Sequence, residues 1–118
     1  MQVHFTFRNV ESSEGVKNYA REKIARVQKY LRSPLDADVI LFVERHHHCV
    51  EMSVRADGER YAGHVESEDM YASIDLVVDK VERQVREAKD AANTRKRHSS
   101  PGIAHLSGKN GPVPESDD

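Results

Sequence analysis

Met70, Ile74, Val77, Val78, Val81, Val85 and Ala88 recur at three- and four-residue steps, and this stripe constrains the fold more than any other feature of the chain. The spacing predicts an amphipathic helix with one apolar face. Such a helix must lay that face on another layer, because the stripe is too narrow for a helix buried on all sides. Asp69 stands just before the run, where a short carboxylate can accept from the free N–H groups of the first turn.

The remaining elements supply the layer. Val3, Phe5 and Phe7 alternate with His4, Thr6 and Arg8, the period of a half-buried strand. Ser12 and Ser13 can cap a helix whose dipole Glu14 complements, and Val16, Ala20, Ile24, Val27 and Leu31 then follow at helical spacing. Ser33-Pro34 is expected to stop it, since proline disfavours an α conformation in the residue before it. Residues 37–45 read as a second strand, and its near-continuous apolar centre, Val39 to Val43, places it inside a sheet. A His-rich turn leads to a third strand with Val50, Met52, Val54 and Ala56 on one side. Asp57-Gly58 is a hairpin signal, and residues 61–67 form a fourth strand before the second helix, expected to reach about Asn93.

The order β-α-β-β-β-α implies a parallel first pair, then an antiparallel meander. The expected fold class is α+β, a four-stranded sheet with two helices packed on one face, of the double-stranded-RNA-binding-domain type. Residues 1–94 are read as this domain. Residues 95–118 open with a basic cluster, Arg95-Lys96-Arg97, and close on Glu115-Ser116-Asp117-Asp118. With three prolines and three glycines after Ser99, this segment is expected to be a disordered tail.

The 118 residues suit one core, and with aromatics at 6% and no Trp that core must be aliphatic. Eighteen Lys plus Arg against twenty Asp plus Glu give a net charge of −2, so any nucleic-acid binding must come from a local basic surface and not from the total. One cysteine excludes an internal disulfide and fits a reducing cytoplasm. Neither a signal segment nor an apolar run of the ~18–20 residues needed to cross a bilayer is present, which predicts a cytoplasmic protein with no membrane partner.

The sequence holds no glycine-rich phosphate loop, nucleophile elbow or paired cysteine motif, so neither an enzyme nor a small-molecule substrate or cofactor is expected. Glu68-Asp69 is explained by helix N-terminal charge. His46-His47-His48-Cys49 is the most metal-like string. Strand alternation would split it into two pairs, short of the four ligands of structural zinc, so it reads as a polar hairpin end and no metal is expected. The basic residues carry the functional case. Lys23 and Arg26 flank the apolar face of the first helix. Lys80, Arg83, Arg86 and Lys89 recur at three-residue steps on the second, and Arg45 closes a strand. These seven could form a shared surface for phosphates. Acidic residues at helical spacing (Glu22, Asp79, Glu82, Glu87, Asp90) could instead neutralise it. Tyr71 reads as packing beside Met70 or as a stacking platform.

Four strings, in order, resemble the ribosome hibernation factor family over about four-fifths of the chain: Met1 to Thr6 with Asn9-Val10-Glu11; Val43-Glu44-Arg45 with His48 and Glu51; Asp69-Met70-Tyr71-Ala72 with Ile74-Asp75; and Asp79-Lys80 with Arg83-Gln84. The resemblance implies a non-catalytic factor that binds the small ribosomal subunit, its 16S-type rRNA and nearby ribosomal proteins, near the decoding centre, and blocks translation sterically in stationary phase or stress. The second helix departs from the family's dense Lys/His ending, because Glu87, Ala88, Asp90, Ala91 and Ala92 dilute it. Long family members carry a second domain that dimerises ribosomes, and this chain is expected to be a short form. The rival expectation is a protein-interaction module that modulates transcription, of the sigma-factor modulator type.

Overall fold

The structure, a computed structural model, describes residues 1–97. Its order is β1 (Gln2–Arg8), α1 (Glu14–Gln28), β2 (Asp36–Glu44), β3 (His47–Ala56), β4 (Glu59–Ser67) and α2 (Met70–Arg97). The sheet runs β1-β2-β3-β4, with β1 parallel to β2 and the rest antiparallel. This is the expected β-α-β-β-β-α fold. Residues 1–87 form one compact unit; a second begins at Ala88 and is helical through Arg97. The first three residues of the expected tail are thus helical backbone, and the rest of it lies outside the described residues.

Strand alternation sorts the sheet into two faces. Ala37, Val39 and Leu41 of β2 stand opposite Val54, Met52 and Val50 of β3, and all six are buried. Val16, Ala20, Ile24 and Val27 of α1 and Met70, Ile74, Val77, Val78, Val81 and Val85 of α2 complete one core. The predicted stripe therefore holds, except that Ala88 is exposed. The other sheet face carries the polar partners. There Arg55 on β3 donates to Asp38 and Asp36 on β2, both at 3.0 Å.

The caps follow the sequence. The Val16 amide donates to Ser13 Oγ at 3.2 Å, and the Ala72 amide donates to Asp69 Oδ2 at 2.9 Å. The first helix ends earlier than Ser33-Pro34 suggests. After Gln28 the chain tightens into i−3 bonds at Lys29, Tyr30 and Leu31, a common way for a helix to finish, and Leu31 still reaches the core. The Gln28 carboxamide then binds the Ser33 carbonyl (2.9 Å) and the Leu35 amide (2.8 Å), which steers the chain into β2.

Two-residue loops join β2 to β3 and β3 to β4. The type I′ form of such a loop has positive φ at both positions, which matches the twist of the strands. Asp57 (54°) and Gly58 (76°) meet this as expected. Arg45 (49°) and His46 (70°) meet it without glycine or asparagine. Arg45 is therefore a turn residue, where the sequence suggested a strand end.

α2 lies tight on β4. A Cβ on Gly63 would come within 3.3 Å of Val77 Cγ2 and 3.6 Å of Val81 Cγ2. Replacing Gly63 with Val adds two further methyl groups to that contact. We expect a loss of about 1–3 kcal/mol by overpacking, read as a lower urea midpoint; an unchanged midpoint would mean that α2 can shift without cost. The outer edge of β4 is also occupied. The Gln84 carboxamide accepts from the Ala62 amide (3.1 Å) and donates to the Ala62 carbonyl (2.7 Å), and Lys80 Nζ reaches the His64 carbonyl at 3.4 Å. These backbone groups would otherwise be open to a further strand.

Candidate nucleic-acid interface

The two helices run in the same direction, because successive residues of α1 meet successive residues of α2. Tyr19 donates to Asp75 Oδ1 at 2.7 Å, Lys23 lies 3.5 Å from the same carboxylate, and Arg26 binds Asp79 at 3.3 Å and Glu82 at 2.8 Å. Asp75, Asp79 and Glu82 thus neutralise the two α1 cations expected at the interface. Lys23 and Arg26 are half-buried in the seam, where a phosphate would have to displace a carboxylate to reach them.

The seam also shifts protonation. Hydrogen bonding from Arg26 holds the Glu82 carboxyl below its ordinary range, against the opposing effect of burial, with Tyr30 and Arg86 adding to it. The Asp75 carboxylate pushes the Tyr19 hydroxyl up by accepting its hydrogen bond. For Glu82 the folded pKa is depressed. Its contribution to stability is therefore complete above the unfolded carboxylate range, near 4.5, and is lost as pH falls through the lower folded value. Glu82→Gln is expected to lower stability at neutral pH and to flatten the acid side of the stability profile. Parallel profiles for the two proteins across pH 2–6, in urea titrations, would refute that role.

Lys80, Arg83 and Arg86 behave differently from the seam cations. All three are exposed. Three-residue steps on a helix advance about 4.5 Å each, so the three charges cross the outward ridge of α2 on a slant. Their side chains lie along that exposed surface, Lys80 Nζ also touching the His64 carbonyl, and bring positive charge within reach of a phosphate backbone. Lys89 lies beyond Glu87, where the second compact unit begins, and is half-buried. Arg45 is exposed on the β2–β3 turn. That turn lies at the α2 N-terminal end, where the buried Ser73 hydroxyl donates to the His48 carbonyl at 2.6 Å. The seven predicted residues therefore divide into an interhelical pair, an α2 ridge, Lys89 beyond it and a separate turn.

Tyr71 is not packed in the core beside Met70. Its side chain is 42% exposed and meets the Tyr19 ring edge-on, with centroids 5.0 Å apart and planes at 80°. The His-rich string does not assemble. His46 is in the turn, His47 and His48 open β3, and Cys49 is buried with Sγ 3.7 Å from Glu66 Oε1. Burial, then Glu66, pushes that thiol up and away from its reactive form. Among the described residues no cluster of three or more His, Cys, Asp or Glu could hold a metal. No described helix is long and apolar enough to cross a membrane.

The family model described as sigma 54 modulation protein / S30EA ribosomal protein matches residues 3–93. The chain belongs to that family. Among its relatives, the ribosome hibernation promoting factor of Pseudomonas putida is 34% identical over 90 residues, spanning 76% of this chain and 88% of that protein. The factor of the same name from Escherichia coli K12 is 32% identical over 90 residues, covering 76% of this chain and 95% of that one. In structure the fold resembles the N-terminal domain of Protein Y from Thermus thermophilus, with a TM-score of 0.71 and 31% identity over 74% of this chain and 98% of that domain. A ribosomal subunit interface protein from Coxiella burnetii shares the fold at a TM-score of 0.67 and 22% identity, over 76% of this chain and 99% of the other. The matched span runs through α1, the meander and the whole cationic ridge of α2.

Proposed function

We propose that this protein is a non-catalytic ribosome hibernation factor. It binds the small ribosomal subunit in the channel between head and body, near the decoding centre, and occupies space that messenger and transfer RNA need. The names of its relatives support the class of partner. The observation that carries the reading for this chain is the exposed ridge of Lys80, Arg83 and Arg86 on a helix whose other sides are anchored to the sheet and to α1. Such a surface binds a phosphate backbone by position and charge without reading sequence. Arg45 adds a separate cation at the β2–β3 turn. Lys89 is a further candidate contact in the second unit, while Lys23 and Arg26 hold α2 to α1 more than they touch RNA.

Inhibition is then a matter of occupancy, with no bond made or broken and no cofactor required. The compartment follows from the partner: a factor that acts on ribosomes during stationary phase or stress works in the cytoplasm. The test is sedimentation of stationary-phase lysate through a sucrose gradient at physiological salt. We expect the protein to travel with ribosomes and to leave them at high salt, since binding through phosphates weakens steeply with ionic strength. Protein confined to the soluble fractions, above intact ribosomes, would overturn the reading and favour a protein-interaction module acting in transcription.

A further inference from the structure

We infer that Tyr71, braced by Tyr19, is a stacking platform for an unpaired nucleobase at the N-terminal end of the interhelical seam, and this rests on the ribosome-binding reading above. Tyr71 and Tyr30, at 42% and 39% exposure, are the exposed tyrosine rings among the described residues. Of the two, Tyr71 has a second ring against it.

The geometry is that of a prepared surface. The Tyr19 hydroxyl is tied to Asp75 at 2.7 Å, which fixes the bracing ring. Tyr71 meets it at 80°, so the contact can cover at most one of the two Tyr71 faces and leaves the other for a ligand. Room for the ring comes from Gly15, where a Cβ would stand 3.3 Å from the Tyr71 hydroxyl. Lys23 Nζ, paired with Asp75, lies 5.3 Å from the Tyr19 ring centroid and so packs on the bracing ring. An aromatic face on a protein that also carries an exposed cationic surface is the combination that binds single-stranded RNA without sequence preference. The ridge farther along α2 supplies charge but no ring, so the two surfaces divide the work: backbone capture along the helix, base capture at its start.

The experiment compares wild type, Tyr71→Phe and Tyr71→Ala for binding to purified small subunits and to a short protein-free oligouridylate, at several salt concentrations. On both targets we expect Tyr71→Ala to bind about 5- to 150-fold more weakly, with an unchanged salt slope, and Tyr71→Phe to bind like wild type. Equal binding by Tyr71→Ala on subunits that wild type binds would overturn the platform and leave the hibernation reading standing. A loss on subunits but not on the oligomer would assign the ring to a ribosomal protein and overturn it too. Equal losses in Phe and Ala would assign the effect to the hydroxyl, and base stacking would again be refuted. Failure of wild type to bind subunits would remove both readings together.

Discussion

The triple replacement Lys80→Glu, Arg83→Glu, Arg86→Glu is expected to abolish ribosome binding. Each lost phosphate contact removes a hydrogen bond to a charged group, about 1.5 kcal/mol at the low end, so three together weaken binding by roughly a thousandfold. The salt slope should fall by about three, one for each counterion-releasing contact. The three side chains are exposed, so the fold should survive. The new carboxylates do join Asp79, Glu82 and Glu87 on the same helix, so a triple glutamine variant separates lost attraction from added repulsion. Arg26→Gln should behave in the opposite way, costing stability through Glu82 more than affinity. Filter binding to purified small subunits measures the first effect and urea unfolding the second. If the triple glutamate protein still binds at wild-type affinity, the ridge is not the interface.

Asp57→Ala should be the most damaging single change to stability outside the core. The Asp57 carboxylate accepts from the Ser33 amide (2.8 Å), the Ser33 hydroxyl (2.9 Å) and the Arg32 amide (3.0 Å). In return the Asp57 amide donates to Ser33 Oγ at 2.9 Å. The β3–β4 turn is thereby latched to the loop that follows α1, across 24 residues of chain. Alanine removes the acceptor, strands the Ser33 amide in a half-buried place, and must itself adopt a φ of 54°. We expect a loss of about 3 kcal/mol, which for a domain of this size lowers Tm by roughly 15 °C. Asparagine keeps one acceptor and tolerates the left-handed backbone, so it should lie between the two. A loss below about 1 kcal/mol for alanine would mean that water replaces the latch. Ribosome binding measured well below Tm should be unaffected, because the latch includes none of the ridge residues.

The parts of this molecule that were legible in the sequence are those set by near neighbours. Asp69 capping α2, Asp57-Gly58 turning the last hairpin, and the Met70-to-Val85 stripe all depend on residues within a turn or two, and periodicity reports them. The parts that were not depend on distant partners. Arg45-His46 carries no turn signature, since its left-handed backbone is imposed by the strand register on either side. Gln28, Gln84 and Ser73 look like ordinary helix surface until the strands they bind are placed beside them. The same holds for the basic residues. Lys23 and Arg83 are equally basic in the chain, and only the packing of two parallel helices sets Lys23 against Asp75 while leaving Arg83 on the outer ridge. Tyr71 was ambiguous for the reason that its neighbour, Tyr19, is 52 positions away.

The Gln84 contact with Ala62 couples two properties that a designer would prefer to keep apart. The helix that carries the exposed cations is also the bolt on an open rim of the sheet. A change that frees α2 to follow the contour of a phosphate chain more closely would also unbolt β4 and expose a strand able to recruit another copy. Mobility of α2 and protection of the β4 edge thereby draw on the same carboxamide.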